Sequence, residues 1–373
     1  PNRPGWALSG SFVKNFALSP DVHADRTITF RIVAPTAPVV NLIFADHGYP
    51  MTKDDKGVWS ATLGPFEPDI YGYSFDIGGA NVNPDAVEVP GNPTPRYDEL
   101  QDAPHGSMTF RTYSSKIHGM QRTFRVYLPP QYYSEPHRKF PVLYFFYGLD
   151  DPNWTSQGKI DVVMDNLIAA HKATPMIVVE PNSWIHGETV LQRQPYADKA
   201  TTKEAQAGFS SSAETVAVLE KELPQEIMPI IKRDYRVYTD RAHTAIAGLS
   251  YGGGTAFGIG MRHLGWFDYV GEFCTGTFGG LDNPKDGYIS YAIPYDAESI
   301  APGIYKNLVN PATKPKLFYM GCGEQDPRRP FQEKALADFR AHGIDPVWQV
   351  YPGAHEWKYF RRAFADFAGR IFK

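Results

Sequence analysis

The stretch Ala245-Ile246-Ala247-Gly248-Leu249-Ser250-Tyr251-Gly252-Gly253-Gly254 ends a small apolar run in a serine fenced by glycines. A serine hydroxyl is inert at neutral pH. It becomes a nucleophile only beside a base, and the base needs a carboxylate to orient it. The G-x-S-x-G spacing suits such a serine when a strand leads in and a helix leads out. Glycines then allow a sharp turn without Cβ clashes, and the turn lifts Oγ above the sheet. The five positions alone are weak, because a glycine-rich packing loop reads the same way.

The partners are sought downstream, in the order serine, acid, histidine, each after a late strand. His355 lies in Tyr351-Pro352-Gly353-Ala354-His355-Glu356-Trp357, directly after the apolar run Val347 to Tyr351. Of the 11 histidines it alone combines that position with a flexible Pro-Gly approach. The preceding strand ends in Gly321-Cys322-Gly323-Glu324-Gln325-Asp326, which offers two carboxylates. Asp326 is favoured because Gly-Cys-Gly carries the chain off the strand end before the acid turns in, and Glu324 is its competitor. Acyl transfer also needs donors for a tetrahedral oxyanion. The backbone N–H of Tyr251 is one candidate, and that of Leu149, in Tyr147-Gly148-Leu149-Asp150-Asp151, is the other. Such chemistry calls for no metal and no organic cofactor.

These groups need a rigid frame, and the chain supplies the signals for one. Phe124 to Leu128, Val142 to Phe146, Met176 to Glu180, Thr244 to Ala247, Lys316 to Met320 and Val347 to Tyr351 read as strands. Several are near-continuous apolar runs, typical of parallel strands buried on both faces. Helical spacing fills the gaps at 161–171, 212–234 and 331–342, with a further helix from about Gly253. The alternation predicts a predominantly parallel α/β sheet with helices on both faces and its site at the carboxyl ends of the strands.

The first hundred residues have another rhythm. Thr27 to Ile32 and Tyr71 to Asp76 alternate polar and apolar, and Val39 to Ala45 and Val58 to Leu63 add short strands. Period two and short spacing predict a small immunoglobulin-like β-sandwich. Pro84 to Pro95 holds four prolines and reads as an extended connector. The domains are accordingly placed at 1–102 and 103–373.

Bulk composition narrows the partners. At 373 residues, 42% hydrophobic and 21% charged, the chain can bury a sizeable core. A net charge of −4 gives no electrostatic case for nucleic acid or an anionic membrane. No apolar run approaches the ~20 residues of a membrane span. The sequence begins at Pro1 without methionine, which raises the expectation of a removed export segment and a secreted or periplasmic protein. Two cysteines, Cys274 and Cys322, are too few for a disulfide framework; neighbouring strands could bring them together, with buried free thiols the commoner outcome.

Several motifs occur together in a recognisable order: Tyr127-Leu128-Pro129-Pro130, Pro141-Val142-Leu143-Tyr144, Asp165-Asn166-Leu167-Ile168-Ala169, Gly248-Leu249-Ser250-Tyr251-Gly252-Gly253, Gly321-Cys322-Gly323 and His355-Glu356-Trp357. Residues 108–373 thereby resemble the esterase-D-like, feruloyl-esterase-type carbohydrate esterases of family one. Phe30-Arg31-Ile32-Val33-Ala34-Pro35, Gly57-Val58-Trp59-Ser60 and Asp69-Ile70-Tyr71-Gly72-Tyr73 resemble the early-set domain related to carbohydrate-binding family forty-eight. The first resemblance implies an α/β hydrolase with Ser250 as nucleophile, His355 as general base and Asp326 as orienter. It implies release of ferulate or related hydroxycinnamates from plant cell-wall polysaccharide. Acetyl-xylan, siderophore and general aryl esterases are the neighbouring alternatives, and a non-catalytic carbohydrate-binding protein is the alternative of another class. Trp154, Trp184, Tyr196, Tyr291 and Trp357 are candidates to cover an aromatic acyl group or sugar. One departure stands out: relatives usually carry His-Gly-Gly-Gly where this chain has Tyr147-Gly148-Leu149-Asp150.

Overall fold

The computed structural model describes residues 19–44, 47–91, 94–147, 158–183, 213–275 and 297–373. The chain divides into two compact units, Pro1–Glu99 and Leu100–Lys373.

The first unit is built from eight strands: β1 (Asp21–Val22), β2 (Ile28–Val33), β3 (Val40–Phe44), β4 (His47–Pro50), β5 (Thr52–Lys53), β6 (Val58–Leu63), β7 (Asp69–Ile77) and β8 (Ala80–Val89). They form two four-stranded antiparallel sheets, ordered β1-β2-β6-β5 and β4-β3-β7-β8. Phe30, Phe44, Trp59 and Phe75 fill the space enclosed by their apolar faces. Trp59 donates its indole N–H to the Ala34 carbonyl, and Tyr73 is half-buried against Phe30 and Phe75. Both aromatics are thus spent on this core.

The proline-rich stretch departs from the expected connector, because Pro84 to Val89 belongs to β8. Proline cannot donate to a ladder, so it is tolerated only on edges and at bulges. Here β8 is an edge strand, and its pairing with β7 slips between Tyr73↔Asp85 and Phe75↔Val82, which places Pro84 at the irregularity.

The second unit carries an eight-stranded sheet. Its strands are β9 (Ser107–Ser115), β10 (Met120–Leu128), β11 (Val142–Phe146), β12 (Ile177–Pro181), β13 (Thr244–Leu249), β14 (Tyr269–Phe273), β15 (Leu317–Gly323) and β16 (Val347–Tyr351). The order is β16-β15-β14-β13-β11-β12-β10-β9. The six strands from β16 to β12 are parallel, and β10 and β9 close one edge antiparallel. β11, β12, β13 and β14 are buried along their whole length, as strands covered on both faces must be. The helices used below are α1 (Ile160–Ala169), α2 (Ala213–Glu222), α3 (Met228–Asp234), α4 (Ser250–Arg262), α5 (Arg329–Ala341) and α6 (Trp357–Ala368).

The single long helix expected over 212–234 is interrupted by a π-turn at Leu223–Ile227 between α2 and α3. Pro224 lacks an N–H and crowds the preceding turn, so the regular hydrogen-bond ladder cannot pass through it. The chain also leaves β11 for β12 on one side and returns to β13 on the other, which makes β11/β13 the topological switch point. Ligands of open α/β sheets bind in the crevice at the carboxyl end of that point.

Candidate active site

The turn at Ser250 lies at that crevice. β13 ends at Leu249, which is extended (φ −117°, ψ 146°), and the helix α4 begins at Ser250 itself rather than at Gly253. Ser250 has φ +52°, in the left-handed region that disfavours a residue with a Cβ by about 1–3 kcal/mol. The flanking glycines answer a different need. A Cβ on Gly248 would stand 2.3 Å from the Gly252 carbonyl oxygen and 2.6 Å from that of Phe146. A Cβ on Gly252 would stand 2.3 Å from the carbonyl oxygens of both Phe146 and Tyr147. So the glycines let bare backbone of the turn press against the end of β11, while the serine itself bears the unfavourable dihedral.

That close approach sets a stability prediction. Gly252→Ala must move the turn or β11, and destabilisation by about 3 kcal/mol is expected in a urea unfolding midpoint. Gly265→Ala, whose Cβ would meet nothing within 4 Å, is the control and should stay within about 0.5 kcal/mol.

Three side chains meet above the strand ends. Ser250 Oγ is 2.8 Å from His355 Nε2, and His355 Nδ1 is 2.7 Å from Asp326 Oδ2. A carboxylate only accepts, so Nδ1 carries the hydrogen and Nε2 is left to accept from the serine hydroxyl. The Asp326 side chain is fully buried. Burial by itself would raise its pKa. The His355 hydrogen bond and charge, a hydrogen bond from the Cys274 thiol and one from the Arg328 N–H outweigh it, and the carboxyl is held below its ordinary value. Arg328 N–H donates to the other oxygen, Oδ1, at 2.8 Å.

The loops that carry the acid and the histidine are stitched through backbone. Glu324 N–H donates to Tyr351 O at 2.8 Å, Gln325 N–H to Gly353 O at 3.0 Å, and Gly353 N–H to Gln325 Oε1 at 2.7 Å. The competitor Glu324 is exposed, and its carboxylate is not brought to His355. Trp357 opens α6 half-buried, its ring edge-on to Phe360 at 5.9 Å, and Phe360 in turn meets the His355 ring at 4.9 Å. Tyr251 is the second residue of α4, where no side chain caps the first turn. Leu149, Trp154, Trp184, Tyr196 and Tyr291 lie outside the described residues.

Three contributors went unnoticed in the sequence. Arg328 acts through its backbone N–H, which no residue type announces. Cys274 reaches Asp326 because φ +50° turns it off the end of β14. Ser183, fully buried, donates its hydroxyl to the Tyr147 carbonyl at 2.9 Å. Tyr147 itself is 3% exposed with its ring 5.9 Å from the Arg125 guanidinium, so the residue that replaces a histidine of the relatives points into the protein. An open cleft of about 320 Å³ between Lys314, Leu317, Ile344 and Val347 lies at the opposite, amino-terminal ends of β15 and β16, away from the relay.

Comparisons with known proteins agree with this geometry. Residues 114–278 match the family described as "Putative esterase", a span that contains Ser250 and stops before Asp326 and His355. An endo-1,4-beta-xylanase/feruloyl esterase of Xylanibacter ruminicola is 27% identical over 377 residues, covering 95% of this chain and 46% of that protein. The chain thus spans less than half the length of that curated relative. A solved ferulic acid esterase is 26% identical with a TM-score of 0.53, over 72% of this chain and 99% of that one. A family-one ferulic acid esterase of Anaeromyces mucronatus, solved with ferulic acid, shares the fold at 22% identity and a TM-score of 0.56, over 77% of this chain and 98% of that one. With its parallel sheet, its strained serine at the switch point and these likenesses, the second unit is an α/β hydrolase of the esterase type, similar to the feruloyl esterases of carbohydrate esterase family one.

Proposed function

We propose that the chain is a serine carboxylic-ester hydrolase acting on feruloyl and related hydroxycinnamoyl esters of plant cell-wall polysaccharide. The observation that carries this reading is the hydrogen-bonded series Ser250–His355–Asp326 at the strand ends. The acyl preference rests on the likeness to the 27%-identical xylanase/feruloyl esterase and the 26%-identical ferulic acid esterase.

In this mechanism Ser250 Oγ attacks the ester carbonyl carbon while His355 Nε2 takes its proton. The charge that develops on the carbonyl oxygen meets the Tyr251 N–H at the amino end of α4, where the helix dipole favours it. Leu149 N–H is assigned as the second donor from its place in the sequence. His355 then gives its proton to the departing sugar oxygen, leaving a feruloyl–Ser250 ester. Water enters, His355 takes its proton, and the acid is released with Ser250 restored. Asp326 stays ionised throughout, holding the Nδ1–H tautomer and balancing the imidazolium. Trp154, Trp184, Tyr196, Tyr291 and Trp357 are assigned to the aromatic acyl group or the sugar. A polymeric substrate also agrees with the export expected from the sequence.

The test is kinetic. Methyl ferulate should be hydrolysed with a kcat/KM at least about tenfold above that for 4-nitrophenyl acetate, once leaving-group reactivity is allowed for. Cleavage of acetate alone, or of a catecholate siderophore ester in preference, sinks the feruloyl assignment. Absence of labelling by a fluorophosphonate sinks the esterase reading altogether.

A further inference from the structure

Two buried thiols lie directly behind Asp326. Cys274 follows the last residue of β14 and Cys322 lies in β15, and the register Phe273↔Gly321 makes them neighbours across the two parallel strands. Both are 0% exposed, and their sulfurs stand 3.2 Å apart. Strands in register lie about 4.8 Å apart, within the Cα separations that a disulfide spans. Closing the pair therefore asks little of the backbone.

Cys274 shares with Ser250 a left-handed backbone, at φ +50°. The conformation carries its thiol off the alternation of the strand and onto the Asp326 carboxylate. Since the carboxylate can only accept, the Cys274 S–H donates. The same sulfur accepts the Gly323 N–H at 3.1 Å and faces the Cys322 thiol. The two sulfurs and an Asp326 oxygen lie within 4.8 Å of one another. Asp326 is thus held by His355, by the Arg328 N–H and by a thiol whose hydrogen is chemically removable.

We propose that Cys274 and Cys322 are a redox modification site coupled to the relay, in which disulfide closure withdraws the thiol hydrogen bond from Asp326 and slows acyl transfer. The inference rests on the reading of Asp326 as the acid of that relay. With hydrogen peroxide as oxidant, one cysteine sulfur, as thiolate, attacks a peroxide oxygen; the O–O bond breaks and the departing hydroxide takes up the thiol proton as water. The sulfenic acid so formed is attacked by the second sulfur. The S–S bond forms, the S–O bond breaks, and a second water leaves with the second thiol's proton. Two thiols and one peroxide become one disulfide and two waters. A dithiol reductant reverses the change by two exchange steps. Burial, the Cys322 thiol and the Asp326 charge keep the Cys274 thiol well above its ordinary pKa, so the thiolate is scarce and closure takes minutes to hours.

The experiment exposes the whole chain to hydrogen peroxide over a time course, then removes the oxidant. Intact mass and thiol counting in denaturant follow the pair, and kcat and KM for methyl ferulate are measured on the same samples. Expected are loss of both titratable thiols with loss of two hydrogens, a fall of about tenfold in kcat with KM within about twofold, and recovery with dithiothreitol. Cys322→Ser, compared with its own untreated sample, should keep its activity through the same exposure. Cys274→Ser, which retains a donor to Asp326, should exceed Cys274→Ala in kcat at equal thermal stability. Thiols that stay titratable overturn the proposal. So do a closed disulfide without a change in kcat, equal inactivation of Cys322→Ser, and equal kcat in the two Cys274 variants. A reduced protein inactive on every ester overturns the relay reading and this proposal together; a reduced enzyme that is active, and equally active once closed, overturns this proposal alone.

Discussion

Ser250→Ala is expected to lower kcat by about 10⁶-fold and to leave the melting temperature unchanged. Alanine removes only Oγ and keeps the Cβ at φ +52°, so the backbone strain persists and the glycine contacts with Phe146 and Tyr147 are untouched. What is lost is the sole attacking atom within 2.8 Å of His355 Nε2 among the described residues. Fluorophosphonate labelling should disappear with the activity. His355→Ala should fall nearly as far, since the members of such a relay act as a unit. A Ser250→Ala protein that still hydrolyses methyl ferulate above background would place the nucleophile elsewhere.

The second large effect concerns the acid. Asp326→Asn should cost about 10⁴-fold in kcat with little change in KM. The reason lies in which oxygen is already spoken for. The Arg328 N–H points at Oδ1 from 2.8 Å, so it will hold the single oxygen of an asparagine amide. The amide NH₂ is then left facing His355 Nδ1, at the Oδ2 position 2.7 Å away. A donor there forces the hydrogen onto Nε2, and a protonated Nε2 cannot take the Ser250 proton. Glu324→Gln is the contrasting variant, because that exposed side chain stands apart from His355; its kcat should stay within about twofold. If Glu324→Gln is the inactive enzyme, the acid has been misassigned. The lowered pKa of Asp326 also fixes the sign of its pH effect. Its contribution to stability is present above the unfolded carboxyl value and is lost only as pH falls through the still lower folded one. The acid therefore stays charged throughout the neutral range, and the pH–rate profile there carries no limb from it.

Much of the frame could be read from residue order because burial on both faces leaves an unmistakable apolar run. β11, β12 and β13 are such runs, and the strand ends they share put Ser250, Asp326 and His355 on one edge. Ser107–Ser115 escaped, since exposed positions alternate along it and its place is decided by nine residue pairs with β10. The π-turn at Leu223–Ile227 shows the same limit: two prolines sat within a helical period, and only packing decides whether such a helix breaks or bulges. At the site, side chains with intrinsic chemistry were legible and their supports were not. The Arg328 N–H and the Ser183 hydroxyl act by position alone. Cys274 acts through a dihedral angle that no residue type encodes.

The contact between Gly252 and the carbonyls of Phe146 and Tyr147 also has a meaning for how this scaffold can change. It draws a frontier in the chain at Tyr147. Before it, an inserted or deleted residue would shift the wall on which the nucleophile's turn leans, and activity would go with it. Beyond it, the segment that begins at Gly148 is released from that constraint. New acyl preferences, whether sought by breeding variants in the laboratory or arising in nature, are best looked for on the far side of that line.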